Sequence, residues 1–144
     1  MSIHPQAERI APKIKYEWNM LQYCHSRISD EWTNADLSKR NLLLEDFLLH
    51  ARVLRDFFVG RPRQDDASAA HFFENAAVWE SIAVNFCAYL RQHKQRLDKY
   101  LAHLTYSRLN EDKNWDVNII YNELVQARQQ FYSLLPQVRQ EWFD

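Results

Sequence analysis

Apolar residues recur along this chain at intervals of three and four, the period of helices that bury one face. Ile10, Ile14, Trp18, Leu21 and Ile28 mark a first helix over about 5–28, and Pro5 suits its opening turn. The stretch SDEWTNAD reads as a loop, with Asn34 or Asp36 able to cap the next helix. Leu43, Phe47, His50, Leu54 and Phe57 form the seam of a second helix over about 35–59. Leu44, Leu48, Ala51 and Phe58 broaden the seam, and Leu42, Leu49 and Val53 carry it round most of the helix. A helix so apolar is central in its fold or buried against a second subunit. Its polar exceptions are Glu45, Asp46, His50, Arg52, Arg55 and Asp56.

GRPRQDD breaks this helix: Gly60 is a natural stop and Pro62 prevents continuation. Asp65 or Asp66 can cap a short helix through Phe73. The segment over about 79–108 reads as one long helix or two with a kink, its core stripe formed by Phe86, Leu90, Leu97, Leu101 and Leu104. Residues 110–114 form a polar link. A last helix over about 115–135 carries Ile120, Leu124, Ala127, Phe131 and Leu134, and Pro136 ends it. Trp142 and Phe143 in the tail are placed to dock on the bundle or on a partner. The pattern predicts a single all-α domain over 1–144, an up-and-down four-helix bundle with a short additional helix.

Composition narrows the classes. A chain of 144 residues can build one substantial core. A single glycine argues against a sheet, which needs more glycine-rich turns. The net charge of −1 supplies no global field toward nucleic acid or a membrane surface. No apolar run is long enough for a transmembrane helix, and the opening MSIHPQAERIAPK lacks the core of a signal peptide. Cys24 and Cys87 form no CxxC and read as reduced core thiols of a cytoplasmic protein. There is no HExxH, no Cys/His cluster, no Gly-rich phosphate loop and no nucleophile elbow. No metal and no cofactor is therefore expected.

The richest chemistry lies in LRQHKQRLDKYLAHLTYSR, residues 90–108. Read as one helix, it sets Arg96 and His103 two turns apart on one side, with Tyr100 between them and Ser107 continuing the row. Such a row at the edge of the core stripe is half-sheltered. An arginine there can hold a phosphate and stabilise transition-state charge. A histidine there can take the proton of a ribose 2′-hydroxyl. Tyr100 can position the phosphate or stack on a base. Arg91, Lys94, Arg96, Lys99 and Arg108 form a basic cluster round this helix, and Arg61 and Arg63 form a smaller patch near His71. The plainer alternative is an edge histidine beside a solvated arginine, with the other cations serving solubility. His50 has Asp46 one turn before it, a spacing that suits a carboxylate–histidine pair or half a metal site; a core histidine satisfied by a hydrogen bond is the plainer reading. Glu45, Arg52 and Asp56 read as a polar face with intrahelical ion pairs, although His50 or Arg52 can also support the Arg96–His103 row if the second helix packs on the third.

The strings FLLHARVLRDFF (47–58) and RLDKYLAHLTYSR (96–108) resemble a group of small bacterial helical proteins that is in turn similar to the HEPN superfamily. That resemblance implies a helical bundle, often a homodimer, with Arg96 as the phosphate-binding arginine and His103 as the base of a metal-independent ribonuclease. It also implies the setting of such domains, toxin–antitoxin or phage-defence systems with an antitoxin or other protein partner. The family motif usually carries a polar residue directly after the arginine; here that position is Leu97, and Asp98 comes one later.

Two functional classes follow. One is an RNA-cleaving dimer in which two copies of the third helix form a composite cleft. The other is a non-catalytic helical dimerisation or interaction module. A bundle with a small-molecule pocket between helices is a third class, for which no motif names a ligand.

Overall fold

The computed structural model describes residues 3–102 and 114–144, and these are all-helical, with no strand among them. The α-helices are α1 (Ala7–Glu31), α2 (Leu37–Val59), α3 (Ala77–Ala83), α4 (Ala88–Gln92), α5 (Lys94–Ala102), α6 (Val117–Leu134) and α7 (Gln137–Gln140). Short 3₁₀ turns lie at Trp32–Asn34, Ala69–Phe72 and Glu141–Phe143. No described helix is long and apolar enough to cross a membrane.

Helices α1 and α2 form an antiparallel pair joined by a tight connection. Asp36 caps α2, its Oδ1 accepting from the Lys39 amide at 2.8 Å, so of the two candidate caps the aspartate is used. At one end Lys39 pairs with Glu31, and far along the pair His50 meets Glu17. Pro12 sits inside α1, where it removes one backbone donor without ending the helix. Helix α6 packs on both, with His25 bonded to Asn118 at 3.1 Å and Trp18 beside Tyr121. Asp116 caps it, accepting from the Ile119 amide at 3.0 Å.

The core closes around Phe131 of α6. Phe57, Phe58, Phe72, Phe73, Trp79 and Phe143 surround it at centroid distances of 5.6–5.9 Å and interplanar angles of 71–89°. Edge-to-face rings set positive edges on negative faces, which adds to the burial of their area. The tail residue Phe143 thus docks on its own bundle.

Two expectations need correction. The short helix expected from Asp65 or Asp66 is a 3₁₀ turn instead, capped by Ser68, whose Oγ accepts from the Ala70 amide at 3.3 Å; Asp66 accepts from the Arg63 amide. Gly60 ends α2 as its position predicts, in extended backbone (φ −75°). A Cβ there would lie 2.6 Å from the Asp56 carbonyl oxygen, so glycine serves close approach. Pro62 cannot donate to the Phe58 carbonyl, and the Trp79 indole does so at 2.7 Å.

The larger correction concerns the segment over 79–108, expected as one long helix or two with a kink. As far as Ala102 it is three short helices, α3, α4 and α5, and its remainder lies outside the described residues. The break is made from a distance. Arg91 donates to the Ala83 and Val84 carbonyls and closes α3. Both carboxylate oxygens of Glu123, on α6, accept from the Tyr89 amide and open α4. Cys87 bridges the two in the left-handed region (φ 57°), the sole non-glycine there among the described residues. A second break falls at His93, between α4 and α5.

Candidate functional site

Helix α5 begins after His93, and consecutive positions two apart on it face nearly opposite ways. Arg96 and Tyr100 share one side, as their spacing predicts. The Arg96 guanidinium lies over the Trp115 ring at 3.9 Å and donates to the Asn114 carbonyl at 3.3 Å. Tyr100 is buried (6% exposed), not half-sheltered, and meets Trp115 edge-on at 5.9 Å. His93 touches the same indole. Leu97, the departure from the HEPN pattern, is fully buried. His103 and Ser107 lie outside the described residues, as do Leu104 and Arg108. Lys99 is exposed.

Asp98 faces the other way, toward α2. Its Oδ1 accepts from Arg55 Nη2 at 3.0 Å and pairs with Arg52 Nε at 3.0 Å, while Oδ2 accepts from Lys94 Nζ at 2.7 Å. Burial alone would raise the Asp98 carboxyl, but the Lys94 and Arg55 hydrogen bonds and charges outweigh it and hold the group below its ordinary value. Asp98 is therefore anchored away from Arg96. Arg52, expected to pair within its own helix, reaches across to α5 instead.

Arg55 was hidden in the sequence as one polar exception in an apolar helix. It is 2% exposed, among the most buried charges of the chain. Its Nε and Nη2 donate to Asp56 Oδ1 at 3.0 and 2.8 Å. Its Nη1 is buried with no hydrogen-bond partner among the described residues. The only signal that could have marked it is a strongly hydrated group between Leu54 and Phe57, at a register that points inward.

His50 is likewise buried, but its partner is not Asp46. Its Nδ1 meets Glu17 Oε2 of α1 at 2.5 Å, and Tyr16 packs edge-on against the ring. The pair ties α1 to α2 and stands apart from Arg96. Both thiols stay protonated: burial, reinforced by Glu123, pushes Cys87 up to about 12, and burial, reinforced by Asp46, pushes Cys24 up to about 11. Among the described residues no three His, Cys, Asp or Glu side chains converge as metal ligands.

A broad cleft of about 890 Å³ opens between α1, the C-terminal half of α2, the loop 60–67 and the Arg91–Asp98 segment. Among the described residues seven cations line it (Lys13, Arg52, Arg55, Arg61, Arg63, Arg91 and Lys94) against four carboxylates (Glu17, Asp56, Asp66 and Asp98), an excess of three positive charges. Arg91 and Lys94 of the larger basic cluster thus join Arg61 and Arg63 through α2, and Arg96 and Lys99 are not among the residues that line the cleft.

Comparison with protein-family models, with curated proteins and with solved structures gave no match.

Proposed function

We propose that this protein is a helical interaction module that works as a homodimer, with the outer face of the α1–α2 pair as its interface. The observation that carries this reading is one apolar face left in water on the most extensively packed pair of helices. Tyr16 (54% exposed), Tyr23 (55%), Leu42 (60%), Leu49 (43%) and Val53 (40%) all belong to it. Tyr16 and Tyr23 lie two turns apart on α1, and Leu42, Leu49 and Val53 follow helical spacing on α2; Tyr16 against His50 joins the two rows. Together these side chains offer on the order of 400–500 Å² of apolar surface, the non-polar share of a standard interface of about 800 Å² per partner. A second copy supplies an equal face through a two-fold axis. The same reading takes α3–α5 together as the broken third member of an up-and-down four-helix arrangement. Sedimentation equilibrium tests it: a dimer is expected, and Leu42→Glu with Leu49→Glu yields a folded monomer. A wild-type monomer at micromolar concentration overturns it.

A second reading, ribonuclease action of HEPN type within a toxin–antitoxin or defence setting, is favoured by one observation, the guanidinium of Arg96 held half-buried over Trp115. In that chemistry His103 takes the 2′-hydroxyl proton, the oxygen attacks the adjacent phosphorus, and the 5′-oxygen leaves, producing a cyclic phosphate. Labelled structured RNA incubated in EDTA tests it. Cyclic-phosphate ends that vanish in His103→Ala and in Arg96→Ala support it; intact RNA with dimeric wild-type protein excludes it.

A further inference from the structure

We propose that the cationic cleft beside α2 is a binding site for a small ligand carrying two or more phosphate groups. The chain as a whole carries a net charge of −1, yet the described lining of this one concavity gathers three excess positive charges. Cations clustered in a concave surface of low dielectric repel one another and raise the local concentration of anions. Their excess suits a ligand of three or four negative charges. A volume of about 890 Å³ is that of a nucleotide-sized site.

The floor of the cleft is pre-organised. Arg55 is held in place by Asp56 and Asp98, so its planar fork has lost its freedom before any ligand arrives. Its Nη1 is a buried donor without an acceptor among the described residues, a costly state in a folded protein and a common mark of a functional site. A phosphate oxygen is the acceptor that a guanidinium takes most readily. The rim is different in kind. Arg61 and Arg63 flank Pro62 on the exposed loop after α2, and no ion pair joins either side chain to a carboxylate among the described residues. They can close on a second phosphate from outside.

The lining also argues against single-stranded nucleic acid. Its one aromatic residue among those described, Phe57, is 5% exposed and turned into the Phe131 cluster, so the described lining offers no platform on which bases could stack. A compact polyphosphate needs none.

Isothermal titration of the full chain with pyrophosphate, and separately with ATP, at low salt tests the site. One ligand per chain is expected, with affinity falling at least tenfold in Arg61→Glu/Arg63→Glu, a variant of exposed side chains that keeps the wild-type melting temperature. ATP binding more tightly than pyrophosphate would identify the ligand as a nucleotide, and equal affinities would assign recognition to the phosphates alone. Arg55→Lys should lose binding as well; where it fails to fold, the rim variant decides. Absence of stoichiometric binding, or binding unchanged in the rim variant, overturns the proposal. So does capture of a single-stranded RNA oligonucleotide by a protein that ignores both pyrophosphate and ATP.

Discussion

On one side of α5 a single cation, Arg96, rests on an aromatic surface built from Trp115 and Tyr100; on the other a single carboxylate, Asp98, is gripped by Arg52, Arg55 and Lys94. The two residues are neighbours in the chain and belong to different environments. A cation over a ring in part-exposed surroundings gains roughly 0.5–1 kcal/mol. A carboxylate that neutralises a buried guanidinium is worth several times more, because its removal strands a charge that water cannot reach. The difference separates what the motif resembles from what its residues are engaged in. Asp98 is structural and holds the floor of the cleft, whereas Arg96 is engaged on the opposite side of α5 with the Trp115 ring and the Asn114 carbonyl.

Asp98→Ala should therefore have the largest effect, a loss of about 3 kcal/mol in urea unfolding, since Arg55 keeps only Asp56. A loss below about 1 kcal/mol would make the two sides of α5 equivalent. Acid sharpens the same contrast. The Asp98 carboxyl sits below its ordinary 3.8 in the folded protein. Its contribution to stability is full above the unfolded value and is lost as pH falls through the lower folded one. Melting temperatures taken from pH 6 down to pH 3 should fall further for the wild type than for Asp98→Asn. Parallel curves would mean that Asp98 titrates alike in both states. Arg96→Ala should cost less than Asp98→Ala in the same urea assay but at least the roughly 0.5–1 kcal/mol of its contact with the Trp115 ring. Smallest of all, Lys94→Ala removes an exposed i, i+4 pair worth about 0.3–0.5 kcal/mol, and that small loss should shrink further in 0.5 M salt.

The helical class and three long helices were legible because each carries its own evidence. Helix α2 shows a seam, an aspartate cap and a Gly–x–Pro ending within one stretch of sequence. The α3–α5 segment shows an equally good seam and no breaker, yet it breaks. The groups that end α3 and begin α4 are Arg91 and Glu123, the latter on α6 and remote in sequence from the amide it receives. Of the candidate site, the shared side of Arg96 and Tyr100 was legible from helical spacing. The partner of His50 and the role of Arg55 were not, because Glu17 and Asp98 come from other helices.

By itself, then, the sequence determined an all-helical chain, the faces that form its core and the charges available at its surface. These follow from periodicity and capping, which act within a few residues. Tertiary structure alone decided where the third helix breaks, which carboxylate each buried cation meets, and that arginines from α2, the loop 60–67 and the Arg91–Asp98 segment share one cleft. Those outcomes depend on desolvation. A charge removed from water must find its counterpart among whatever the packed helices bring within hydrogen-bond reach, and no local pattern in the chain records which group that is.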